Sequence, residues 1–387
     1  MMEVNGFEFS GIHCGIKESK KDLGLVYIKD GATAVGVTTK NIFASPAVKH
    51  TKEILGSTKP VYSILVNSGN ANALTGSNGY DDICKILESQ TELTKQAKNS
   101  GIMLSTGIIG QRLPIDKIID GLSPLINGKS KSCDNFATAI CTTDTIEKVF
   151  LSKVEINNEM VTILGIAKGS GMIQPNMATM LSFIFTDANI DQALLQEALS
   201  SATDKSFNRI TVDSDSSTND TCLFLASNTG PKIDKTSIQA FKSAVDDITL
   251  KLAQSIILDG EGATKFVELS INNAKSNEEA KRIFYAIANS PLVKTALFGE
   301  NPNFGRILCS AGKVQSSIIP KKTILSIGTY ILYKNGEVTT FDQDALNKYM
   351  TNKNIQICLD LGIGNINFTG WTTDLSHDYI DINAEYN

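Results

Sequence analysis

"KGSGMIQPNMATML" (residues 168–181) carries the chain from one strand-like run, Val161–Ile166, into another, Leu181–Phe185. Three methionines, two glycines and a proline fill the connection, with polar Gln174 and Asn176 just ahead of the bond Ala178–Thr179. A threonine in front of an apolar strand is ordinarily that strand's first residue. A second reading gives it chemistry. A hydroxyl has too high a pKa to attack a carbonyl unaided, and one solution is the residue's own α-amine once that residue has become a chain terminus. A free α-amine titrates near 7.7–8, so part of it is neutral and able to take a proton at neutral pH. This route requires the Ala178–Thr179 bond to break. The small Ala178 leaves its carbonyl open, and neighbouring glycines permit a strained backbone in which the hydroxyl attacks, moving the acyl group from N to O before water releases it.

Outward from this stretch the texture is mixed. Leu25–Ile28, then Asp30-Gly31, then Ala34–Val37 reads as a hairpin, and Val61–Val66 as a strand running into "NSGNANALTGSNG" (67–79), a loop too rich in Gly and Asn for helix. Helical spacing appears at Ala193, Leu194, Ala198, Leu199 and Ala202. It returns at Ile238, Phe241, Val245, Ile248, Leu252 and Ile256, with Thr236 as cap and Gly260 as stop. A third helix is expected from Glu278 to Asn289, stopping at Pro291. The last third alternates at Ile355, Ile357, Leu359 and Leu361, turns around Thr369-Gly370-Trp371, and alternates again at Ile380 and Ile382. Hairpins with intervening helices indicate α+β layers, not a doubly wound parallel sheet. Polar "NNAKSNEE" marks a boundary, giving a core over 1–275 and a smaller domain over 276–387.

Composition narrows the function. The 387 residues are 42% apolar and 20% charged, as in ordinary globular proteins. A net charge of -5, from 36 basic and 41 acidic residues without a basic stripe, points to a small-molecule partner and away from nucleic acid. The start "MMEVNGFEFSG" lacks the features of a signal peptide and no apolar run approaches a membrane span, so a cytoplasmic protein is expected. Seven scattered cysteines without a C-x-x-C pair read as reduced and mostly buried, and three histidines in no metal pattern leave no metal site. Gly362-x-Gly364 lacks the context of a dinucleotide site. Phosphate-loop and G-x-S-x-G motifs are absent. With so few histidines, a threonine served by its own amine gains weight.

"KGSGMIQPNMATML" resembles the self-cleavage signature of the ornithine acetyltransferase (ArgJ) family, in which the residue after Ala becomes the N-terminal nucleophile. "VNSGNAN" (66–72), "LSTGIIG" (104–110), "TTDT" (142–145), "DSDSSTNDT" (213–221), "DGEGATK" (259–265), "NPNFGRI" (301–307) and "YIDINAEY" (379–386) match in order along nearly the whole chain. The resemblance implies an αββα sandwich similar to N-terminal nucleophile hydrolases, followed by a smaller C-terminal α/β domain. Cleavage would give an α chain, 1–178, and a β chain, 179–387, pairing as α2β2. Thr179 would take acetyl from N-acetylornithine, release ornithine and pass the acetyl to glutamate. No cofactor is implied, and whether acetyl-CoA also serves as a donor stays open.

Residue by residue, Thr106 and Gly107 resemble the family's oxyanion hole. Thr142, Lys168, Thr179, Glu261 and Asn383 match its substrate-binding residues, Lys168 suiting an α-carboxylate and Glu261 an ammonium. Taken alone, Thr106 reads as a strand-end hydroxyl, Lys168 as a solvated loop lysine, Glu261 as a common helix-end acid and Asn383 as a strand residue. Two departures stand out. The family's C-terminal Ser or Thr is replaced by an end at Asn387, leaving that substrate contact to Asn387 or to nothing, and Phe304 stands where tryptophan is expected. Two other functions remain open at this point: a self-cleaving aminopeptidase or amidase using water as acceptor, and an inactive relative that only binds amino acids.

Overall fold

The computed structural model describes residues 2–174 and 180–385. The chain divides into two compact units, residues 1–208 with 215–256, and residues 209–214 with 257–387. The second unit thus begins ahead of the 275/276 boundary expected from polarity. Strand Phe266–Ala274, which lies before that boundary, pairs with Asn354–Asp360 and Ile366–Thr373, and this pairing holds it in the second unit.

The first unit is organised by one long strand, Leu23–Thr38. Its first half pairs with Glu8–Ile12 and Val61–Asn70, and the latter pairs in turn with Gly101–Ile108. Its second half pairs with Thr221–Ala226, which leads on to Leu181–Thr186, Glu159–Lys168 and Lys148–Ile156. Asp30-Gly31 is therefore not a hairpin turn. It lies where the register with the neighbouring strand shifts between Tyr27 and Ala32, and Gly31 takes φ +78 beside Pro60 and Tyr62. An irregularity there lets one strand serve two sheet halves, as bulges do when they bend a strand.

The two halves face each other across one apolar core. Val26, Ile64, Val66 and Leu104 come from the first half, and Leu164, Ile166, Phe183, Phe185, Leu223 and Leu225 from the second, with Phe136 of helix Asp134–Ile140 among them. Leu23, Leu25, Leu65 and Met103 point the other way, onto Ile83 and Ile86 of helix Gly76–Thr94 and Ile118, Leu122 and Leu125 of helix Ile115–Asn127. On the opposite outer face Phe224 stacks on Phe241 of helix Ile238–Leu258, and Gly165 leaves room for Ile248 and Leu252. Helix, sheet, sheet, helix: the expected αββα sandwich is present. Alternation explains it, because successive strand side chains face opposite layers and both layers here are covered, so strands such as Leu181–Thr186 are buried throughout.

In the second unit a mixed sheet runs Glu337–Val338, Tyr330–Lys334, Ile324–Ile327, Asn354–Asp360, Phe266–Ala274, Ile366–Thr373, Ile210–Thr211. Helix Asn277–Ala288 packs Ala280, Ile283, Phe284 and Ile287 into its core.

Several local expectations change. Of the stretch 67–79 only 71–75 is loop; 67–70 end strand Val61–Asn70 and 76–79 open helix Gly76–Thr94. Asp234, not Thr236, supplies the side-chain acceptor before helix Ile238–Leu258, taking the N–H groups of Thr236 and Ser237. Pro291 opens a helix, Pro291–Phe298, as proline's fixed φ allows at a first turn. Thr369–Trp371 lies inside a strand, and Ile380 and Ile382 belong to helix His377–Glu385. All seven cysteines are free, but only Cys133 and Cys222 are buried. Among the described residues no helix is long and apolar enough to cross a membrane.

Candidate active site

Strand Gly101–Ile108 runs parallel to Val61–Asn70 in regular register until Gly69 faces Gly107; there the register slips, and Asn70 faces both Thr106 and Ile108. Gly107 sits at φ +131, where a Cβ would lie 2.3 Å from the carbonyl carbon of Gly69 and 2.5 Å from the nitrogen of Asn70. Only glycine fits. The asparagines of 66–72 hold the slipped segment: Asn67 Nδ2 donates to Asn70 O at 2.8 Å, and Asn70 Nδ2 to Arg112 O at 3.0 Å. Ser105 Oγ donates to Asn67 Oδ1 at 2.6 Å, and Asn219 Nδ2 donates to Ser105 O at 2.8 Å and Ala71 O at 2.5 Å.

Against Gly69 lies a second loop. The buried Asp22 carboxylate accepts the backbone N–H groups of Cys14, Gly15, Ile16 and Lys17, and a Cβ on Gly69 would come within 3.0 Å of Ile16 and 3.1 Å of Lys17 side-chain carbons. Burial alone would raise the Asp22 pKa, but the N–H groups of Cys14, Lys17 and Ile16 hold it below the usual carboxylate value. Lys17 donates to Lys21 O and Cys141 O, and burial lowers its ammonium to about 8.

Lys168 ends strand Glu159–Lys168 and is only 8% exposed. Its Nζ lies 2.7 Å from Thr142 Oγ1 and 3.4 Å from Thr106 Oγ1. A hydroxyl that accepts from an ammonium keeps its own proton to give elsewhere, so both threonines are set as donors. Thr142 follows helix Asp134–Ile140 and is fixed by Asp144: Oδ2 accepts Thr142 N–H at 3.0 Å, while Oδ1 accepts Gly169 N–H at 2.6 Å and Lys148 Nζ at 2.8 Å. Asp144 thereby ties the "TTDT" loop to the residue after Lys168. Burial would raise its pKa, yet Lys168, Lys148 and the Gly169 N–H keep it well below the carboxylate range. The Cys141 thiol nearby is pushed up to about 12 by burial and by Asp144, so it is a neutral neighbour.

In the second unit, Glu261 sits in the turn after helix Ile238–Leu258, and Asn383 lies on helix His377–Glu385. Asn383 Nδ2 donates to Glu261 Oε2 at 2.9 Å and to Tyr379 O at 3.0 Å. Gly262 holds the turn at φ +65, with its carbonyl accepting from Ser376 Oγ at 2.6 Å. Asp374 accepts the N–H groups of Thr264 and Lys265, each at 2.9 Å, which secures the other end.

The structure thus gathers Thr106, Gly107, Thr142 and Lys168 in the first unit and joins Glu261 to Asn383 in the second. Ala178, Thr179 and Asn387 lie outside the described residues. On either side of 175–179, Gln174 N–H donates to Asp215 O, and Met180 O accepts from Thr221 N–H, each at 2.9 Å. Sequence reasoning passed over Asp144, Lys148 and Asn219. The first two stand four positions apart, an acid and a base around "TTDT", and that spacing was the available signal; Asn219 lies in the quoted "DSDSSTNDT". Among the described residues no cluster of three or more His, Cys, Asp or Glu side chains is arranged for a metal ion.

Comparison with known proteins shows the family. The chain is 43% identical over 386 residues to the arginine biosynthesis bifunctional protein ArgJ of Chlorobaculum tepidum, spanning 98% of this chain and 95% of that one. It is 39% identical over 395 residues to the protein of the same name from Thermotoga neapolitana, across 100% of both. The crystal structure of arginine biosynthesis bifunctional protein ArgJ from Bacillus halodurans superposes with a TM-score of 0.52 and 38% identity, over 54% of this chain and 100% of that chain. Since the ArgJ family model also matches residues 8–387, the chain belongs to the ArgJ family.

Proposed function

We propose that this protein transfers acetyl from N-acetylornithine to glutamate in arginine biosynthesis, through an acetyl ester on Thr179. The observation that carries the reading is the Lys168 ammonium bonded to the hydroxyls of both Thr142 and Thr106, with Thr106 beside a position that admits only glycine. The Thr179 hydroxyl attacks the acetyl carbonyl while its α-amine takes the proton. The tetrahedral oxyanion is met by the Thr106 O–H and the Gly107 N–H. The C–N bond breaks, and ornithine leaves with the proton. The amine of glutamate then attacks the ester, the C–O bond breaks, and the threonine hydroxyl is restored.

Lys168 and Thr142 bind the α-carboxylate that both substrates share, and Glu261 with Asn383 receives the ornithine ammonium. Cleavage of Ala178–Thr179 frees the α-amine and yields chains 1–178 and 179–387, assembled as α2β2. In support, the Bacillus halodurans chain aligns over its whole length with 54% of this one, a share that the segment 179–387 would also make up. Acetyl-CoA is admitted as a second donor, since a thioester delivers the same acetyl group to the same hydroxyl. The test is to incubate the purified protein with N-acetylornithine and glutamate. Ornithine and N-acetylglutamate should appear in equal amounts; cleaved protein that yields no ornithine would refute the assignment.

A further inference from the structure

The Asp144 carboxylate has two lysines within reach, and it treats them differently. Lys148 meets Oδ1 at 2.8 Å, and its side chain is fully buried. Lys168 lies 3.8 Å from Oδ2, outside hydrogen-bond distance, with its Nζ turned to Thr142 and Thr106 instead. Oδ1 is further occupied by the Gly169 N–H and Oδ2 by the Thr142 N–H. Three of the roughly four acceptor positions on the carboxylate are thus taken by groups other than Lys168. Two opposite charges in a site this dry attract strongly, so without those competitors the closest partner for the Lys168 ammonium would be Asp144.

We propose that Lys148 is a positioning residue that occupies Asp144 and so keeps the Lys168 ammonium available to the substrate carboxylate. The inference rests on the role given above to Lys168 and goes beyond it by assigning a task to a buried lysine that touches no substrate. Asp144 serves the site in a second way, because its N–H contacts hold Thr142 and Gly169 in place. Lys148 lets it do so without closing on Lys168.

Three variants test this by steady-state kinetics, with cleavage into two chains and thermal melting as checks on folding. Lys148→Met frees Oδ1 to draw Lys168 in, and the KM for N-acetylornithine and for glutamate should both rise about tenfold, the loss expected for one charge-assisted hydrogen bond. Adding Asp144→Asn to Lys148→Met removes the competitor and should recover most of that loss. A purely structural role for the pair predicts instead that the loss and its recovery follow the melting temperature while KM stays unchanged. Asp144→Asn alone, which is isosteric and usable even where Lys148→Met fails to fold, should lower KM, the weaker hold on Thr142 offsetting only part of the gain from the freed Lys168 ammonium. An unchanged or raised KM in Asp144→Asn, or no recovery in the double variant, overturns the proposal. Lys168→Met separates the two ideas. If it leaves KM unchanged, the role of Lys168 itself fails; if it raises KM while Lys148→Met does not, only the inference about Lys148 fails.

Discussion

The ammonium of Lys168 points at the hydroxyl of Thr106 across 3.4 Å, joining two strand ends that lie 62 positions apart in sequence. Each end is held by its own strand pairing, Lys168 opposite Leu181 and Thr106 in the slipped register opposite Asn70. The pair therefore marks where the two halves of the sandwich bring chemistry together. Because the lysine donates, the threonine's own proton is directed away from it.

Removing that proton should harm the transition state more than the ground state. Thr106→Val is expected to lower kcat by about 10²–10³, the usual cost of one oxyanion donor, with KM altered far less. Steady-state kinetics with N-acetylornithine and glutamate measure the split. A variant losing only in KM would assign Thr106 to binding.

Gly107→Ala forces a Cβ to within 2.3 Å of the Gly69 carbonyl carbon. Backbone strain of this kind costs on the order of 1–3 kcal/mol, and the clash adds to it. A drop in melting temperature of several degrees, with activity nearly abolished, is the expected result by calorimetry and assay. An alanine variant as stable and active as the parent would show that the slipped register is not required.

Asp22→Asn tests the loop that backs Gly69. At pH 7 the substitution should destabilise the protein by about 1.5–3 kcal/mol, the range for hydrogen bonds to a charged group. The folded carboxylate has the lower pKa, so its contribution is complete above the unfolded value near 4 and is lost as pH falls through the folded one. Denaturant unfolding at pH 7 and at pH 3 should therefore show the gap between parent and variant narrowing in acid. A gap that stays constant would mean that the charge contributes nothing.

Glu261→Gln keeps the shape of the side chain and removes its charge. The KM for N-acetylornithine, which carries an ammonium on its side chain, should rise about tenfold, while that for glutamate moves by less than about threefold. Equal effects on both substrates would contradict the assignment of Glu261 to the ornithine end.

Thr179→Ala should run as one band near 41.7 kDa and form no ornithine. Mass spectrometry of the parent should find a chain beginning Thr-Met-Leu. If active parent protein lacks that terminus, the proposed nucleophile is excluded.

Local pattern was enough for the elements whose chemistry is local. The apolar runs 161–166 and 181–185, the period of 193–202 and 238–256, and the alternation of 355–361 all became the strands and helices their spacing calls for. The signature residues Thr106, Gly107, Thr142, Lys168, Glu261 and Asn383 were likewise visible, because residue type and motif order are properties of the chain alone. Other features depended on partners remote in sequence. Asp30-Gly31 has the composition of a turn, yet it lies within a continuous strand because sheet partners on both sides, residues 61–67 and 221–226, take up the backbone hydrogen bonds that a hairpin would have satisfied internally. Ile380 and Ile382 alternate as a strand would, but Ser376 caps the following N–H at Tyr379 and the segment coils into a helix. Asp144 and Lys148 showed only as charges of opposite sign four positions apart. That one of them also grips Gly169, and thereby stands beside Lys168, was decided by folding, since electrostatic partnership depends on distance in space and a sequence records only distance along the chain.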